Sequence, residues 1–392
     1  SCWSPRRAAG SAVAGSRSGD VRRLLIVSLS ATLGGAERSM LLLAGHLRDH
    51  GWDAVLACPP GELAGHARDA RVAVEATAWR PVHAVSSRSG GRKAYPPAAL
   101  AAAAAATAAN AARTALLARR ARADAVLSNS LHAHPFATLG GRLAGRRVVW
   151  HLRDIVDPGA GRRLLAGAAR GAHGVLAVSR AVAATVPHRR TLVLHNPVAT
   201  VRAVPRQVPG RVVGFVGRLD PEKGLEELIR AAELVDASFV VAGEPRFAPA
   251  GYRRRLEAMA ARRAPGRLRF VGAVADPAEV LPGFAVLAVP SRREPFGRVA
   301  AEALACGVPV VAAATGGLPE VVRDGVDGLL YPAGDAAALA ERLRRVLDDG
   351  ALRASMSAAA SAGAARFLPS RHARQAAAFL DRVVEAPGRR GR

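Results

Sequence analysis

Cysteine is almost missing from this chain. It occurs only as Cys2, Cys58 and Cys306, an odd number without a C-x-x-C pair, which excludes a disulfide framework and a zinc ribbon and points to a reducing compartment, the cytoplasm. Aromatics make up 4% of the residues, so alanine, valine and leucine must fill the interior. Lysine occurs twice, as Lys93 and Lys223, so nearly all positive charge is arginine. No G-x-G-x-x-G opens a helix after a strand, which excludes the dinucleotide fingerprint. No D-x-D is present either, so the sequence offers no acidic pair for a metal clamp.

Acidic residues are the other shortage. Lys and Arg number 56 against 31 Asp and Glu, a formal net charge of +25, and the imbalance is concentrated: residues 1–205 hold 28 basic against 10 acidic residues, and residues 206–392 hold 28 against 21. An electropositive first half suits an anionic partner, whether a lipid surface, a nucleic acid or a phosphorylated substrate. An arginine-rich coding bias is the plain alternative. The first twenty residues, SCWSPRRAAGSAVAGSRSGD, are small, polar and basic without the apolar core of a signal peptide. Residues 1–22 are therefore expected to be a disordered basic leader, and 385–392 a basic tail. Ala98 to Leu117 approaches spanning length, but Thr107, Asn110 and Arg113 interrupt it and alanine is the strongest helix former. It reads as a soluble helix rather than a membrane span.

Half of the 392 residues are apolar, enough for two full cores. From Arg23 short β-branched runs alternate with helix-length segments. Leu24–Ser28, Ala54–Ala57, Val72–Ala76, Ala125–Ser128, Val148–His151, Gly174–Val178 and Leu192–Leu194 read as strands buried on both faces. After the proline-punctuated stretch Pro205–Gly210 the series restarts with Val212–Val216, Phe239–Ala242, Leu268–Val271, Val286–Val289, Val308–Ala312 and Gly328–Tyr331. The economical architecture is α/β: two doubly wound Rossmann-like domains, 23–205 and 206–384, facing across a cleft, with ligands beyond the carboxyl ends of the strands. The last helix could return to the first domain.

Three loops leave strands at those ends. SLSATLGGAERSM sets Gly34 and Gly35 at the start of a helix, where backbone amides can approach an anion; plain turn chemistry explains the glycines equally well. GFVGRLDPEKGLEELI supplies Asp220 as a helix cap, Pro221 at the first helical position and Lys223 in the first turn. A lysine there opposes the helix dipole. An anion held by Arg218, Lys223 and the helix amides removes the conflict; neutralisation of Lys223 by Glu222 and Glu226 is the alternative.

The third loop, SRREPFGRVAAE, runs from Ser291 to Glu302 and begins a helix at Gly297 and Arg298. On one helix, Glu294 and Glu302 would lie about 12 Å apart, beyond the roughly 5 to 9.5 Å of paired glycosidase carboxylates. Separate tasks fit better, one carboxylate holding a sugar and the other a ribose, each by accepting hydrogen bonds from a vicinal diol. Taken singly, either glutamate could be a solvated surface group.

EPFGRVAAE with the following ALACGVPVVAAATGGLPEVVRDGVDGLLYPAGD, VGRLDPEKGLEELI and the early GGAER resemble the GT-B glycosyltransferases of family 4, a large retaining group that uses nucleotide sugars. The resemblance covers roughly residues 23 to 384 and is most specific in the E-x7-E segment. It implies that Arg218 and Lys223 bind the donor diphosphate, Glu302 the ribose, and Glu294 with the Phe296 and Gly297 backbone the transferred sugar; Arg298 is a further donor-binding candidate, its guanidinium open to an anion beside the helix amides. Gly34 and Gly35 would lie near the diphosphate and acceptor. His151, in VVWHLRD, falls where the family often has a His-Asp pair touching the sugar, but Leu152 and Arg153 separate it from Asp154. A structural histidine at a strand end is the alternative. His132 and His134, with Arg153 and Asp154, stand as acceptor-side candidates, although a helix start capped by Ser130 also explains the two histidines.

The implied chemistry needs no cofactor beyond a UDP-, GDP- or ADP-sugar and no metal. The C1–phosphate bond breaks toward an oxocarbenium-like centre, Arg218 and Lys223 stabilise the departing diphosphate, and domain closure excludes water. Glu294, Lys223, Arg218 and His151 are the expected catalytic set. The expected acceptor is a glycan, a lipid-linked sugar or a small metabolite, reached at the inner face of the plasma membrane through peripheral contact with anionic lipid. A nucleotide-sugar epimerase of the same fold is the rival reading. A basic nucleic-acid-binding module is a third, but it leaves the E-x7-E segment unexplained and lacks a stacking series of aromatics, so no nucleic-acid partner is expected.

Overall fold

The computed structural model describes residues 21–82, 97–199 and 210–386. Most of the basic leader, nearly all of the Pro205–Gly210 stretch, the tail beyond Ala386, Cys2 and Lys93 lie outside the described residues. The chain divides into two compact units. One holds residues up to Ala177, Thr185–Leu194 and the chain from His372; the other holds Val178–Ala184 and His195–Arg371. The division at Leu194 falls ahead of the 205/206 boundary expected from the proline pattern.

In the first unit, β1 (Arg22–Val27), β2 (Trp52–Cys58), β3 (Ala73–Ala76), β4 (Ala125–Ser128), β5 (Arg147–Leu152), β6 (Gly174–Ala177) and β7 (Thr191–Val193) form a sheet in the order 3-2-1-4-5-6-7. Every pairing is parallel. Between the strands run α1 (Gly35–Leu47), α2 (Glu62–Asp69), α3 (Pro97–Arg120), α4 (His134–Leu143) and α5 (Ala160–Ala169). One face of the sheet meets α1 and α2 through Leu24, Ile26, Leu56 and Leu127. The other meets α4, where Gly141 lies against Val126 and Val148. A parallel sheet needs both coverings, which is why its inner strands, such as β4 and β6, are buried along their whole length rather than alternately.

The second unit adds α6 (Arg180–Ala183) and a six-stranded sheet. β8 (Val212–Val216), β9 (Ser238–Ala242), β10 (Leu268–Gly272), β11 (Val286–Val289), β12 (Val310–Ala313) and β13 (Gly328–Tyr331) are parallel in the order 10-9-8-11-12-13. Its helices are α7 (Leu225–Leu234), α8 (Tyr252–Arg263), α9 (Arg298–Ala305), α10 (Leu318–Val321), α11 (Ala336–Asp348) and α12 (Gly350–Gly363). From His372 onward the last helix, α13 (Pro369–Glu385), belongs to the first unit, where Ala373, Phe379, Leu380 and Val383 join the core. Asp381 ties it there, accepting from Arg22 at 2.6 Å and from the Trp52 indole at 2.9 Å.

Both strand orders reverse once, between β1 and β4 and between β8 and β11. At such a reversal the two following loops diverge and leave a crevice at the carboxyl ends of the strands. The loops after β8 and β11 are two of the three singled out from sequence, Arg218–Lys223 and Ser291–Gly297.

Candidate functional site

Lys223 and Glu294 carry the geometry of the second unit. They stand 71 positions apart in sequence, yet the Lys223 Nζ lies 2.7 Å from Glu294 Oε2. The side chains are 19% and 11% exposed, so this is a sheltered pair that joins the two loops at the strand-order reversal. Ser291, itself buried, donates to the same carboxylate oxygen at 3.2 Å. Gly224 makes the approach possible: its φ is +70°, and a Cβ there would collide with the Pro290 carbonyl oxygen.

Arg218 is held on three sides. Its guanidinium pairs with Asp220, donates to Glu222 at 2.6 Å and stacks over the Phe247 ring at 4.9 Å. Asp220 is buried, and its second oxygen accepts the Arg246 and Phe247 amides at 3.1 and 2.9 Å. Its carboxylate thus anchors the 246–247 loop instead of capping a helix. Pro221–Lys223 forms a 3₁₀ turn and α7 begins only at Leu225, so Lys223 precedes the α-helix rather than lying in its first turn. Its counter-charge is Glu294; Glu222 is turned to Arg218.

Glu294 lies before α9 and Glu302 within it, so the 12 Å estimate for two residues on one helix does not apply. Glu302 pairs with Arg298 one turn away at 2.8 Å. The two carboxylates therefore have different cationic neighbours, Lys223 and Arg298. Phe296 is buried, packing beside His195 and Phe367 with ring centroids 5.6 and 6.1 Å apart, which leaves its backbone rather than its ring to meet a ligand. Gly297 has φ +98° and caps α9, where a Cβ would press on Leu318. The loop is clamped from outside: the Gly317 amide donates to the Glu294 carbonyl at 2.8 Å and Ser179 Oγ to the Pro295 carbonyl at 2.6 Å.

Asp220, Glu222, Ser291 and Glu320 are the supporting groups that the motif reading left without a role in holding this site. Glu320 accepts the Arg180 amide at 2.8 Å and meets His195 Nε2 at 3.1 Å. Its place in GGLPE was visible; its partners lie more than a hundred positions away and were not.

In the first unit Gly34 caps α1, and the two amides just ahead of the helix already face carboxylates. The Gly34 amide donates to Glu37 at 3.1 Å and the Leu33 amide to Glu62 at 3.0 Å. Gly35 is the first residue of the helix.

His134 is an interior residue. Its ring stacks on Trp150 at 4.6 Å, Nδ1 lies 2.8 Å from Ser128 Oγ, and burial pushes its pKa down to about 3. His132 is half-buried in the short turn before α4.

His151 is fully buried at the end of β5, and burial together with the Arg153 charge holds its pKa well below the ordinary histidine value. Arg153 Nη2 lies 3.2 Å from His151 Nδ1, and its Nε donates to Asn129 Oδ1 at 2.7 Å. Arginine can only donate, so Nδ1 accepts and the neutral ring carries its proton on Nε2. Nε2 has no hydrogen-bond partner among the described residues. The ring is therefore set to donate. Asp154, the next residue along, is half-buried. Among the described residues no three His, Cys, Asp or Glu side chains gather as metal ligands.

Residues 33–202 match the family model described as Glycosyltransferase Family 4, and residues 201–362 match Glycosyl transferases group 1. The D-inositol 3-phosphate glycosyltransferase of Salinispora tropica is 41% identical over 172 residues, 40% of this chain and 35% of that protein. The Corynebacterium jeikeium protein of the same name is 40% identical over 168 residues, 40% of each chain. These matches span about 35 to 40% of the relatives' length. Anabaena HepE, solved in complex with UDP, is 26% identical over 92% of this chain and 99% of its own, with a TM-score of 0.77. Sucrose-phosphate synthase from Thermosynechococcus elongatus shares the fold at 21% identity and a TM-score of 0.70, covering 93% of this chain and all of its own.

Proposed function

Because the chain belongs to the GT-B glycosyltransferases of family 4, we propose that it moves a sugar from a nucleotide diphosphate sugar to an acceptor hydroxyl with retention at the anomeric carbon. The observation that carries this reading is the sheltered Lys223–Glu294 pair, which brings the two motif loops together where the strand order reverses. A donor diphosphate takes the place of carboxylate beside Lys223 and Arg218. Glu294, released from Lys223, then accepts hydrogen bonds from the sugar hydroxyls, while Glu302 holds the ribose. The complex of HepE with UDP favours a UDP-sugar as donor.

The C1–O bond to the β-phosphate breaks, and the leaving diphosphate gains charge that Lys223 and Arg218 stabilise. A bond forms from the acceptor oxygen to C1 on the same face, and the acceptor proton passes to the departing phosphate oxygen. His151, neutral and protonated on Nε2, serves as a donor rather than a base. Arg153, Asp154 and His132 are assigned to the acceptor side. With two cationic side chains at the leaving group, the reaction proceeds without a metal ion.

The test is product formation. Each of UDP-, GDP- and ADP-glucose is incubated with the protein and an acceptor panel that includes an inositol phosphate, a glycan and a lipid-linked sugar, with and without EDTA. A glycosylated product with the donor's anomeric configuration, formed equally in EDTA, is expected. Conversion of one nucleotide sugar into its epimer without transfer overturns the reading, and loss of transfer that magnesium or manganese restores overturns the role given to Lys223 and Arg218.

A further inference from the structure

The first unit is polarised in charge across its sheet. Helices α3, α4 and α5 contain no aspartate or glutamate, and the acids nearest to them in sequence, Asp124, Asp154 and Asp157, lie in the connections. The opposite layer carries Glu37, Glu62, Asp69, Asp381 and Glu385 on α1, α2 and α13.

On these acid-free helices leucine stands open beside arginine. Leu139 and Leu143, one turn apart on α4, are 46% and 55% exposed; Leu116 on α3 is 47% and Leu164 on α5 is 66% exposed. The helices adjoin one another: Gly140 of α4 sits against Ala111 and Thr114 of α3, Arg119 of α3 donates to the Leu143 carbonyl at 2.6 Å, and Arg142 reaches the Gly171 carbonyl just beyond α5 at 3.2 Å. Arg113, Arg120 and Arg163 are exposed on the same helices. Helix α5, AGRRLLAGAA, buries only Ala169, so its two leucines and two arginines contribute little to the protein's own core. Single exposed leucines are ordinary; a set on three adjoining helices with one sign of charge is not.

We propose that the outer face of α3, α4 and α5 docks on an anionic lipid bilayer. Leucine side chains enter the interface while arginine stems lie along it and their guanidinium groups meet lipid phosphates. Helix α3 is the one helix among the described residues long and apolar enough to cross a membrane, but Asn110 of this helix exchanges hydrogen bonds with the Arg80 backbone at 2.9 and 3.0 Å, and Ala111, Thr114, Ala115 and Ala118 are buried. It is held along the sheet, so its apolar surface lies on the membrane rather than through it. A nucleic acid accounts for the arginines but not the leucines. The proposal does not depend on glycosyl transfer.

Co-sedimentation of the full chain with phosphatidylcholine vesicles, with and without phosphatidylglycerol, tests it. Binding should require phosphatidylglycerol and weaken steeply as salt rises. Leu139→Glu, Leu143→Glu and Leu164→Glu should each reduce partition about tenfold or more. Arg120→Ala and Arg163→Ala, which leave the leucines in place, should each reduce it about fivefold. Arg68→Ala and Arg71→Ala, on the opposite layer, should bind as the parent does. Equal binding to neutral vesicles, parental binding by the leucine variants, or equal loss in the Arg68 and Arg71 variants overturns the proposal. So does a parent chain that is dimeric and turns monomeric in the leucine variants, because the face then joins two copies of the chain.

Discussion

Lys223 shows what a motif can and cannot tell about a residue. Its position after Asp-Pro-Glu marked it as a phosphate ligand, but its partner in the fold, Glu294, comes from a loop 71 positions on. Asp220 looked like a helix cap and instead receives two amides from residues 246 and 247. Both assignments turn on tertiary neighbours, which local spacing does not encode. Histidine had the same ambiguity: His134 and His151 stand at strand-to-helix junctions, where a ligand contact and a core position have the same sequence signature. The structure buries both and keeps them neutral. A histidine whose folded pKa is depressed contributes stability that is present above its unfolded pKa and is lost as pH falls toward the folded value. His134 therefore contributes to a loss of stability between about pH 6.5 and about 3. Urea unfolding followed across that range should steepen with acid, and His134→Gln should remove about one proton's worth of slope, roughly 1.4 kcal/mol per pH unit. A variant curve parallel to the parent's contradicts the buried, neutral assignment.

At the scale of elements the sequence was more legible. Each expected strand has a counterpart in the two sheets, and Ala125–Ser128, Val212–Val216, Val286–Val289 and Gly328–Tyr331 coincide in both bounds. Strands covered on both faces are short apolar runs with turn residues at each end, and that signal is local. Helix starts were less legible: α7 begins after Gly224, because a left-handed glycine and a 3₁₀ turn intervene where Pro221 suggested the first α-helical turn. That detail shapes the candidate site, since Gly224 lets the Lys223 turn approach the end of β11. Gly224→Ala strains a positive φ and drives a methyl group toward the Pro290 carbonyl. The variant should lose roughly 2 to 4 kcal/mol of stability and a large part of its turnover while retaining a folded circular dichroism spectrum. Parental melting and turnover would mean that the two loops are not held together as described.

For the whole molecule, two domains could be read from a strand series that stops and restarts, but the return of α13 to the first unit could only be raised as an option, because an amphipathic terminal helix does not name the core it joins. The +25 charge was equally silent about its cause; that three adjoining helices of the first unit carry arginine and no acid emerges only when the chain is folded. The central claim concerns the second unit: its strand-order reversal holds the donor, with Glu294 at the reacting sugar, Lys223 at the leaving phosphate and Glu302 at the ribose. The most direct measurement is kcat and donor affinity for Glu294→Gln, Lys223→Ala and Glu302→Gln with one identified nucleotide sugar. Glu294→Gln and Lys223→Ala should lower kcat, by roughly a hundredfold where a positioning contact at the reacting centre is lost, and Glu302→Gln should mainly raise the donor KM. Parental kinetics in all three variants would contradict the account, and lost turnover with normal nucleotide binding in Glu302→Gln, beside the reverse in Glu294→Gln, would exchange the two carboxylates' roles.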